Sequence, residues 1–271
     1  MTSFNDHFND ARLARLNGLD LAYRFGGDGA PLLLLHPIGL DSSWWQPLAA
    51  RLAQHFCVLA PDFRGHGGSA PIRAEVELAD LADDAADLLR FLGLPSAQVV
   101  GLSMGGMAAQ HLAIRHPDRI RSLSLLGTAC TIPDEVRPGV AERGELARQK
   151  GMNAVLESTL ERWFSPSALQ SRLAESCRQK LLETDAQSWA WCWRAISRLD
   201  TLPLLQRISA PTLVVTGTQD VSAPPAAATL ITRNIAHARL EIIDGAPHMG
   251  PFELPERYMA PVIAFIQNCA S

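Results

Sequence analysis

The chain has 271 residues, of which 47% are hydrophobic and 19% are charged, and its formal net charge at pH 7 is −4. That length suits one domain of the larger α/β kind, or one domain with a cap, and the apolar content is ample for a large core. The weak negative charge offers no general attraction to nucleic acid or to an anionic membrane. Composition therefore argues against a nucleic-acid-binding chain and against a disordered one.

The cysteines and the first residues indicate the cellular compartment of the protein. The five cysteines have no paired spacing, which argues against a disulfide framework and for a reducing compartment. Residues 1–17 are polar and mixed in charge, unlike a signal peptide, and the aliphatic run 32–35 is too short to span a bilayer. We expect a cytoplasmic protein without a membrane partner, and the sequence leaves open whether it forms a homo-oligomer.

Short apolar runs alternate with amphipathic segments in the first half of the chain. The predicted strands are 12–16, 19–25, 32–35, 57–60, 98–102 and 121–126. The predicted helices are 42–54, 77–92 and 104–115. Strands that alternate with helices predict an α/β fold, with a mostly parallel sheet flanked by helices.

A glycine-rich loop, 65–70, follows the fourth predicted strand. Its spacing loosely fits a dinucleotide-binding motif, but Pro71 closes the segment and no helix follows, so we expect no nucleotide cofactor there. Arg64 is predicted to tie this loop down rather than to bind phosphate. The helix 77–92 carries aspartates that we expect to form a solvated acidic face, namely Asp80, Asp83, Asp84 and Asp87.

The alternation of strands and helices stops after Gly127. The next segments have helical spacing only, at 140–150, 153–163, 166–183 and 186–197. This stretch is too long for a loop, so we predict a helical cap inserted between two strands. We divide the chain into an α/β core, 1–128 and 208–271, and a cap, 129–207. The core resumes with predicted strands 211–217 and 240–243 and predicted helices 229–234 and 253–268.

The sequence Gly-Leu-Ser-Met-Gly, 101–105, joins a predicted strand to a predicted helix. Strand, sharp turn and helix form the context that a nucleophile elbow requires. Gly101 and Gly105 lack side chains, which lets the turn close around Ser103. The turn would hold Ser103 in a strained backbone conformation, with its hydroxyl above the sheet edge. The pentapeptide alone is a weaker signal, and its context predicts that Ser103 is a nucleophile.

A serine nucleophile needs a base to take its proton and an acid to orient that base. Asp220 and His248 follow two predicted strands downstream of Ser103, in the order that such enzymes use. Each comes just past the carboxyl end of its strand, where open α/β sheets build their sites. Taken singly, Asp220 suits a turn or a helix cap and His248 a surface loop. Together with Ser103 they predict a catalytic triad.

On these residues the chain resembles the α/β-hydrolase family over nearly its whole length. Two further family loops are present: His-Pro-Ile-Gly at 36–39 and Asp-Phe-Arg-Gly-His-Gly-Gly-Ser at 62–69. The resemblance implies the α/β-hydrolase fold with an inserted helical cap. It also implies an oxyanion hole made by the amides of Ile38 and Met104. Pro37 departs from the glycine more common in that loop, although Ile38 still carries its amide.

Within the family, the pattern resembles 3-oxoadipate enol-lactonases. The matching segments are Gly-Leu-Ser-Met-Gly-Gly at 101–106, Glu-Arg-Trp-Phe-Ser-Pro at 161–166 and Gly-Thr-Gln-Asp-Val at 217–221. The resemblance implies a serine hydrolase that cleaves a small ester or lactone through an acyl-enzyme, without a cofactor. Serine argues against dehalogenase and epoxide hydrolase chemistry, for which this family uses aspartate. None of the eight histidines shows metal-ligand spacing, so no metal is expected.

A carboxylated enol-lactone would need a cation near the pocket. Arg162 is the candidate, with Trp163 as an apolar wall and Trp189 as part of the cap lining. The alternative interpretation makes Arg162 a surface arginine and the tryptophans part of the cap core. Three other functions stay open: a broad carboxylesterase, a carbon–carbon bond hydrolase for ring-cleavage products, and a small-molecule receptor with little turnover.

Overall fold

One sheet of eight strands organises the computed structural model, which describes Phe8 and residues 10–270. The predictions made for residues 1–7, 9 and 271 lie outside the described residues. The strands are β1 (Arg12–Leu16), β2 (Leu19–Gly26), β3 (Ala30–Leu35), β4 (Phe56–Pro61), β5 (Ala97–Leu102), β6 (Ile120–Leu126), β7 (Thr212–Gly217) and β8 (Arg239–Ile243). Their spatial order is β1-β2-β4-β3-β5-β6-β7-β8. Strand β2 is antiparallel to both of its neighbours, and the remaining pairs are parallel.

Three inner strands are buried along their whole length, which explains their continuous apolar sequences. Every residue of β4, β5 and β7 is buried. Helices cover both faces of such a sheet, so its strands need no alternation of polar and apolar residues. Short runs such as 98–102 could therefore be recognised from composition and flanking turns.

Helices flank the sheet and also fill the stretch between β6 and β7. They are α1 (Gln46–Leu52), α2 (Leu78–Phe91), α3 (Met104–Arg115), α4 (Arg137–Lys150), α5 (Asn153–Trp163), α6 (Arg172–Glu183), α7 (Ala186–Ser197), α8 (Pro225–Asn234), α9 (Gly250–Glu253) and α10 (Pro255–Ala270). Short 3₁₀ turns span Ser42–Trp45, Pro117–Arg119 and Leu202–Arg207. None of the described helices is both long enough and apolar enough to cross a bilayer.

Several helices begin or end at residues other than those predicted, and capping side chains explain two of these differences. The predicted helix 166–183 begins only at Arg172, because the Ser171 side chain accepts the Ala174 amide and caps it. The predicted helix 42–54 starts as a 3₁₀ turn, and Asp41 caps it by accepting the Ser43 amide at 2.9 Å. The last predicted helix breaks at Leu254, just before the proline that opens α10.

Arg64 anchors the glycine-rich loop, as predicted, through a partner that the sequence did not indicate. Its Nε and Nη2 donate to the two carboxylate oxygens of Asp84 at 2.7 and 2.6 Å. Asp84 is buried, so the prediction that it belongs to a solvated acidic face is wrong. The loop packs over that face of α2, and a paired carboxylate can be buried there where a free one cannot.

Helices α4 to α7 enter and leave the core through one narrow neck. Thr131 and Asp200 form an isolated antiparallel bridge, and the Thr201 amide donates to the Cys130 carbonyl at 2.8 Å. Inside the insertion, α4 lies very close to α7: a Cβ at Gly144 would lie 2.8 Å from Ala190 Cα. We propose 129–207 as the cap, with 1–128 and 208–271 as the core.

Candidate active site

Ser103 lies between β5 and α3, in a backbone conformation that residues other than glycine rarely adopt. Its φ is 55° and its ψ is −117°. Two hydrogen bonds hold the turn: the Ser103 amide donates to the Leu126 carbonyl at 2.9 Å, and Thr128 Oγ1 donates to the Ser103 carbonyl at 2.8 Å. The surrounding structure therefore maintains the strained turn that the sequence predicted.

The two glycines around Ser103 are required by close backbone contacts. A Cβ at Gly101 would lie 2.4 Å from the Gly105 carbonyl oxygen. A Cβ at Gly105 would lie 2.2 Å from the Leu35 carbonyl oxygen at the end of β3. Both distances are far below van der Waals contact, so the elbow closes only with glycine at these positions. This confirms the reason given for the Gly-x-Ser-x-Gly spacing.

Asp220 and His248 form a buried pair. His248 Nδ1 lies 2.9 Å from Asp220 Oδ2, and the exposed fractions of the two side chains are 1% and 0%. The other carboxylate oxygen of Asp220 accepts the amides of Ser222 at 2.9 Å and Ala223 at 2.8 Å. Because a carboxylate only accepts, Nδ1 carries the proton and Nε2 presents its lone pair.

The Asp220–His248 pair lies beside the elbow. A Cβ at Gly127, just after β6, would lie 3.0 Å from Asp220 Oδ2, 3.4 Å from His248 Nδ1 and 3.5 Å from Leu102 Cδ1. Leu102 directly precedes Ser103. His248 Nε2 is buried and has no hydrogen-bond partner in the part of the chain that the structure describes. Such an atom can accept the proton of a nucleophile once substrate aligns the site.

Two backbone amides beside the elbow have no acceptor. Neither the Ile38 nor the Met104 amide donates a hydrogen bond within residues 10–270. Met104 opens α3, where the first amides of a helix lack intrahelical partners. The loop of Ile38 touches the elbow, since a Cβ at Gly105 would lie 2.7 Å from the His36 carbonyl oxygen. This geometry suits two donors to one oxyanion.

Two buried histidines lie in the 36–39 and 62–69 loops, and one of them joins these loops by a hydrogen bond. His36 Nε2 accepts the Phe63 amide at 2.9 Å, and its Nδ1 donates to the Pro37 carbonyl at 2.7 Å. The His66 ring lies 5.1 Å from the His36 ring, measured between centroids. Burial lowers the pKa of His36 to about 4 and that of His66 to about 3. Both rings are therefore neutral in the folded protein near neutral pH.

Because these two histidines are buried in the neutral form, we expect acid to destabilise the fold. In the unfolded chain they take up protons below about pH 6.5, whereas the folded protein resists protonation until the pH reaches its lowered pKa values. Protonation therefore favours unfolding over this window. Each unit of lowered pKa corresponds to about 1.4 kcal/mol, so the free energy of unfolding should fall by several kcal/mol between about pH 6.5 and 4. Urea unfolding at stepped pH measures this fall.

Two variants separate these rings from the other titrating groups. His66→Gln should reduce the pH dependence, because it removes one of the two buried rings. His55→Gln changes a solvent-exposed histidine and should leave the dependence as it is. Equal pH dependence in wild type and His66→Gln would contradict the assignment.

The structure places the three predicted cap residues against the loops that carry Asp220, His248 and Ile38. Arg162 Nη2 donates to the Val221 carbonyl at 3.1 Å, next to Asp220. The Trp163 ring lies 6.2 Å from the His248 ring, and its carbonyl accepts the Met249 amide at 2.9 Å. Trp189 packs on the His36–Gly39 loop, because a Cβ at Gly39 would lie 2.6 Å from its ring. All three therefore lie between the cap and the core.

One contact beside the loop of His248 had no signal in the sequence. The Glu253 carboxylate accepts the Ser165 amide at 3.1 Å and also accepts the Ser165 hydroxyl. Glu253 ends the short helix that follows His248, and Ser165 follows α5 of the cap. This contact ties the cap to the His248 loop across 88 residues of chain.

The fold and the elbow together define a class of enzyme. The chain belongs to the α/β-hydrolase family: residues 30–255 match the family model described as the alpha/beta hydrolase fold. Over 97% of its length it is 31% identical to 3-oxoadipate enol-lactonase 2 of Acinetobacter baylyi, and the match covers 98% of that protein. The chain is a hydrolase, as its motifs predicted.

Solved structures of hydrolases have the same fold as this chain. A hydrolase from Pseudomonas aeruginosa PA01 superposes with a TM-score of 0.91 and 31% identity, over 95% of this chain and 98% of that one. The enol-lactonase from Burkholderia xenovorans LB400 superposes with a TM-score of 0.88 and 33% identity, over 94% of this chain and all (100%) of that one. The predicted fold class is confirmed.

Proposed function

We propose that this hydrolase cleaves a small ester or lactone through an acyl-enzyme on Ser103, with an enol-lactone like that of 3-oxoadipate as the favoured substrate. The Asp220–His248 pair carries the proposal. It presents a buried, unpartnered Nε2 beside a strained serine turn at the carboxyl ends of the strands. A serine hydrolase needs this combination of a base, an acid that orients it and an exposed nucleophile.

The proposed reaction assigns each group one task. Ser103 Oγ attacks the acyl carbon while His248 Nε2 takes its proton, and Asp220 stabilises the imidazolium that forms. The amides of Ile38 and Met104 bind the oxyanion, and one such donor typically lowers the barrier by about 3 kcal/mol. His248 then protonates the leaving oxygen. Water, deprotonated by His248, attacks the acyl carbon, and His248 returns this proton to Ser103 Oγ as the bond between Oγ and the acyl carbon breaks.

The substrate preference rests on the relatives and on the cap. The Acinetobacter baylyi and Burkholderia xenovorans proteins described above are both named enol-lactonases, and they match 97% and 94% of this chain. Opening a lactone uses the same steps as ester hydrolysis, except that the leaving oxygen stays tethered to the acyl group. We assign substrate contacts to Arg162, Trp163 and Trp189, which lie between the cap and the triad loops.

We also propose that the protein works in a reducing, cytoplasmic environment. All five cysteines are free, and Cys57, Cys130, Cys177 and Cys192 are buried. Burial raises the pKa of the Cys192 thiol to about 12, so this thiol resists oxidation.

Covalent labelling tests the nucleophile. A fluorophosphonate should attach to Ser103 and to no other serine, as located by mass spectrometry of the digested protein. Labelling should disappear in Ser103→Ala and slow strongly in His248→Ala, because the hydroxyl then lacks its base. Attachment at another serine, or undiminished labelling of Ser103→Ala, would overturn the assignment.

A comparison of turnover tests the substrate class. We expect kcat/KM to be higher for an enol-lactone than for simple aryl esters or vinylogous diketone acids. A preference for aryl esters would indicate a carboxylesterase. A preference for the diketone acids would indicate a carbon–carbon bond hydrolase.

A further inference from the structure

The 36–41 loop, which carries one of the two proposed oxyanion amides, is fixed to the core at both of its ends. At its start, His36 Nε2 accepts the Phe63 amide at 2.9 Å. Just past its end, the Ser42 amide donates to Asp62 Oδ1 at 2.8 Å. The residues between these two bonds are also in contact with the proposed cap.

The corner between α6 and α7 packs on the middle of this loop. A Cβ at Gly39 would lie 2.6 Å from Leu181 Cδ2 and 2.6 Å from the Trp189 ring. Gly39 has a φ of 74°, a conformation that favours glycine. The cap therefore touches the residue that follows Ile38, so a shift of this corner would also shift the Ile38 amide.

An ion pair joins the same two parts of the molecule. Lys180 Nζ, on α6, lies 3.0 Å from Asp41 Oδ2, at the end of the loop. The Asp41 side chain is 8% exposed and the Lys180 side chain is 31% exposed. Lys180 also lies 3.0 Å from Glu183, whose side chain is mostly exposed. The pair with Asp41 is thus the one that is shielded from water.

Asp41 has a partner on each of its carboxylate oxygens. Oδ1 accepts the Ser43 amide at 2.9 Å and also accepts the Ser43 hydroxyl, and Oδ2 faces Lys180. Burial raises the pKa of Asp41, but the bonds from Ser43 and the charge of Lys180 outweigh this effect and hold the pKa below its usual value. The carboxylate is therefore ionised near neutral pH and connects the cap lysine to the end of the loop.

We infer that Lys180 is a positioning residue for the oxyanion hole: through Asp41, it holds the 36–41 loop where the Ile38 amide can donate to the oxyanion. The inference rests on the proposed function, in which Ile38 supplies one of the two donors. Desolvation offsets much of the attraction in a shielded ion pair, so its main effect here is on position rather than on stability. A displacement of about 0.5 Å is enough to impair a donor that must meet the transition state.

Lys180→Met tests this role, because methionine keeps an unbranched apolar side chain and removes the charge. We expect kcat on 4-nitrophenyl acetate to fall roughly tenfold, less than the roughly 10²- to 10³-fold loss that follows removal of a whole oxyanion donor. KM should change by less than about twofold, since the donor acts mainly in the transition state. Lys180→Arg should retain most of the activity because the charge stays.

Asp41→Asn separates this ion pair from the one with Glu183. The asparagine oxygen can still accept the two bonds from Ser43, and only the charge that faces Lys180 is lost. The loss in kcat should match that of Lys180→Met, and the double variant should lose no more than either single one, because both changes remove the same pair. An unchanged kcat in Asp41→Asn would overturn the inference.

A thionoester distinguishes a displaced oxyanion donor from general damage to the enzyme. O-4-nitrophenyl thionoacetate develops its negative charge on sulfur, which accepts hydrogen bonds more weakly than oxygen. A displaced donor should therefore slow 4-nitrophenyl acetate more than the thionoester. We expect Lys180→Met to lower the ratio of the two kcat/KM values, ester over thionoester, by roughly fivefold to tenfold. Equal losses for both substrates would overturn the positioning role.

Lys150→Met is the matched control. Lys150 and Lys180 are the two lysines of the chain, and Lys150 is exposed at the end of α4. The same substitution there should leave both rates and their ratio as in wild type. A similar fall of the ratio in Lys150→Met would overturn the assignment to the Lys180–Asp41 pair.

Amide hydrogen exchange separates this inference from the proposed chemistry, because it needs no turnover. Peptides that cover 36–41 should exchange faster in Lys180→Met than in wild type, whereas peptides that cover 101–107 should be unchanged. Faster exchange of the loop, in a protein whose wild type hydrolyses neither substrate, would support the link from Lys180 to the loop and refute the proposed hydrolysis. Hydrolysis by wild type, with exchange and substrate ratio unchanged in Lys180→Met, would do the reverse.

Discussion

Replacing Ser103 by alanine should lower kcat by roughly 10⁴- to 10⁶-fold, because the reaction loses its nucleophile while the oxyanion donors and the cap stay in place. The fold should survive the change. The turn is held by backbone bonds to Leu126 and by Thr128, none of which uses the serine hydroxyl. Alanine also meets the same strain as serine at this φ. Steady-state rates together with the melting temperature check both parts.

Ser124→Ala provides the matched control for this experiment. Ser124 is a buried serine of β6 whose hydroxyl has no partner within the described residues. Removing that hydroxyl makes the same chemical change one strand away from the elbow, and activity should be retained. Full activity in Ser103→Ala would end the serine-hydrolase proposal. Equal losses in both variants would point to a general effect of losing a buried hydroxyl.

Asp220→Asn should lower kcat by about 10⁴-fold with little change of structure. Asp220 Oδ1 accepts two amides, from Ser222 and Ala223, so the asparagine oxygen must take that position. The asparagine NH₂ group then faces His248 Nδ1, which must accept, and the imidazole proton moves to Nε2. His248 is left in the tautomer that cannot take the serine proton.

The measurement is kcat on an ester with a good leaving group, compared with Asp244→Asn. Asp244 follows the neighbouring strand β8, and its carboxylate accepts only a bond from Thr218 in the described structure. Asp244→Asn should therefore keep its activity. A nearly silent Asp220→Asn would place the orienting acid elsewhere, and it would leave the role of Ser103 untouched.

The end of α5 connects the proposed cap to the loops that carry Asp220 and His248. Arg162 bonds to Val221, Trp163 bonds to Met249, and Ser165 bonds to Glu253. These contacts hold together the loops after β7 and β8 from above. The segment Arg162–Ser165 therefore joins the proposed cap to the loops of both Asp220 and His248.

Local chemistry explains why much of the fold could be predicted. The elbow requires glycine at 101 and 105 because backbone atoms touch there, so its motif is visible in any sequence that makes the turn. Strands such as β5 and helices such as α3 follow from short-range apolar patterns and turn residues. Ser103, Asp220 and His248 follow the ends of β5, β7 and β8, and the carboxyl ends of these parallel strands lie at one edge of the sheet.

The sequence by itself determined the class of the fold and the elbow, because each depends on patterns within a few positions, and it supplied the order of the residues of the predicted triad. Only the tertiary structure decided which distant groups meet. Examples are Arg64 with buried Asp84, and Ser165 with Glu253. A charged side chain looks the same in sequence whether water or a partner 88 positions away surrounds it. Its burial and its counter-charge are set by packing, and packing brings together residues that no local pattern connects.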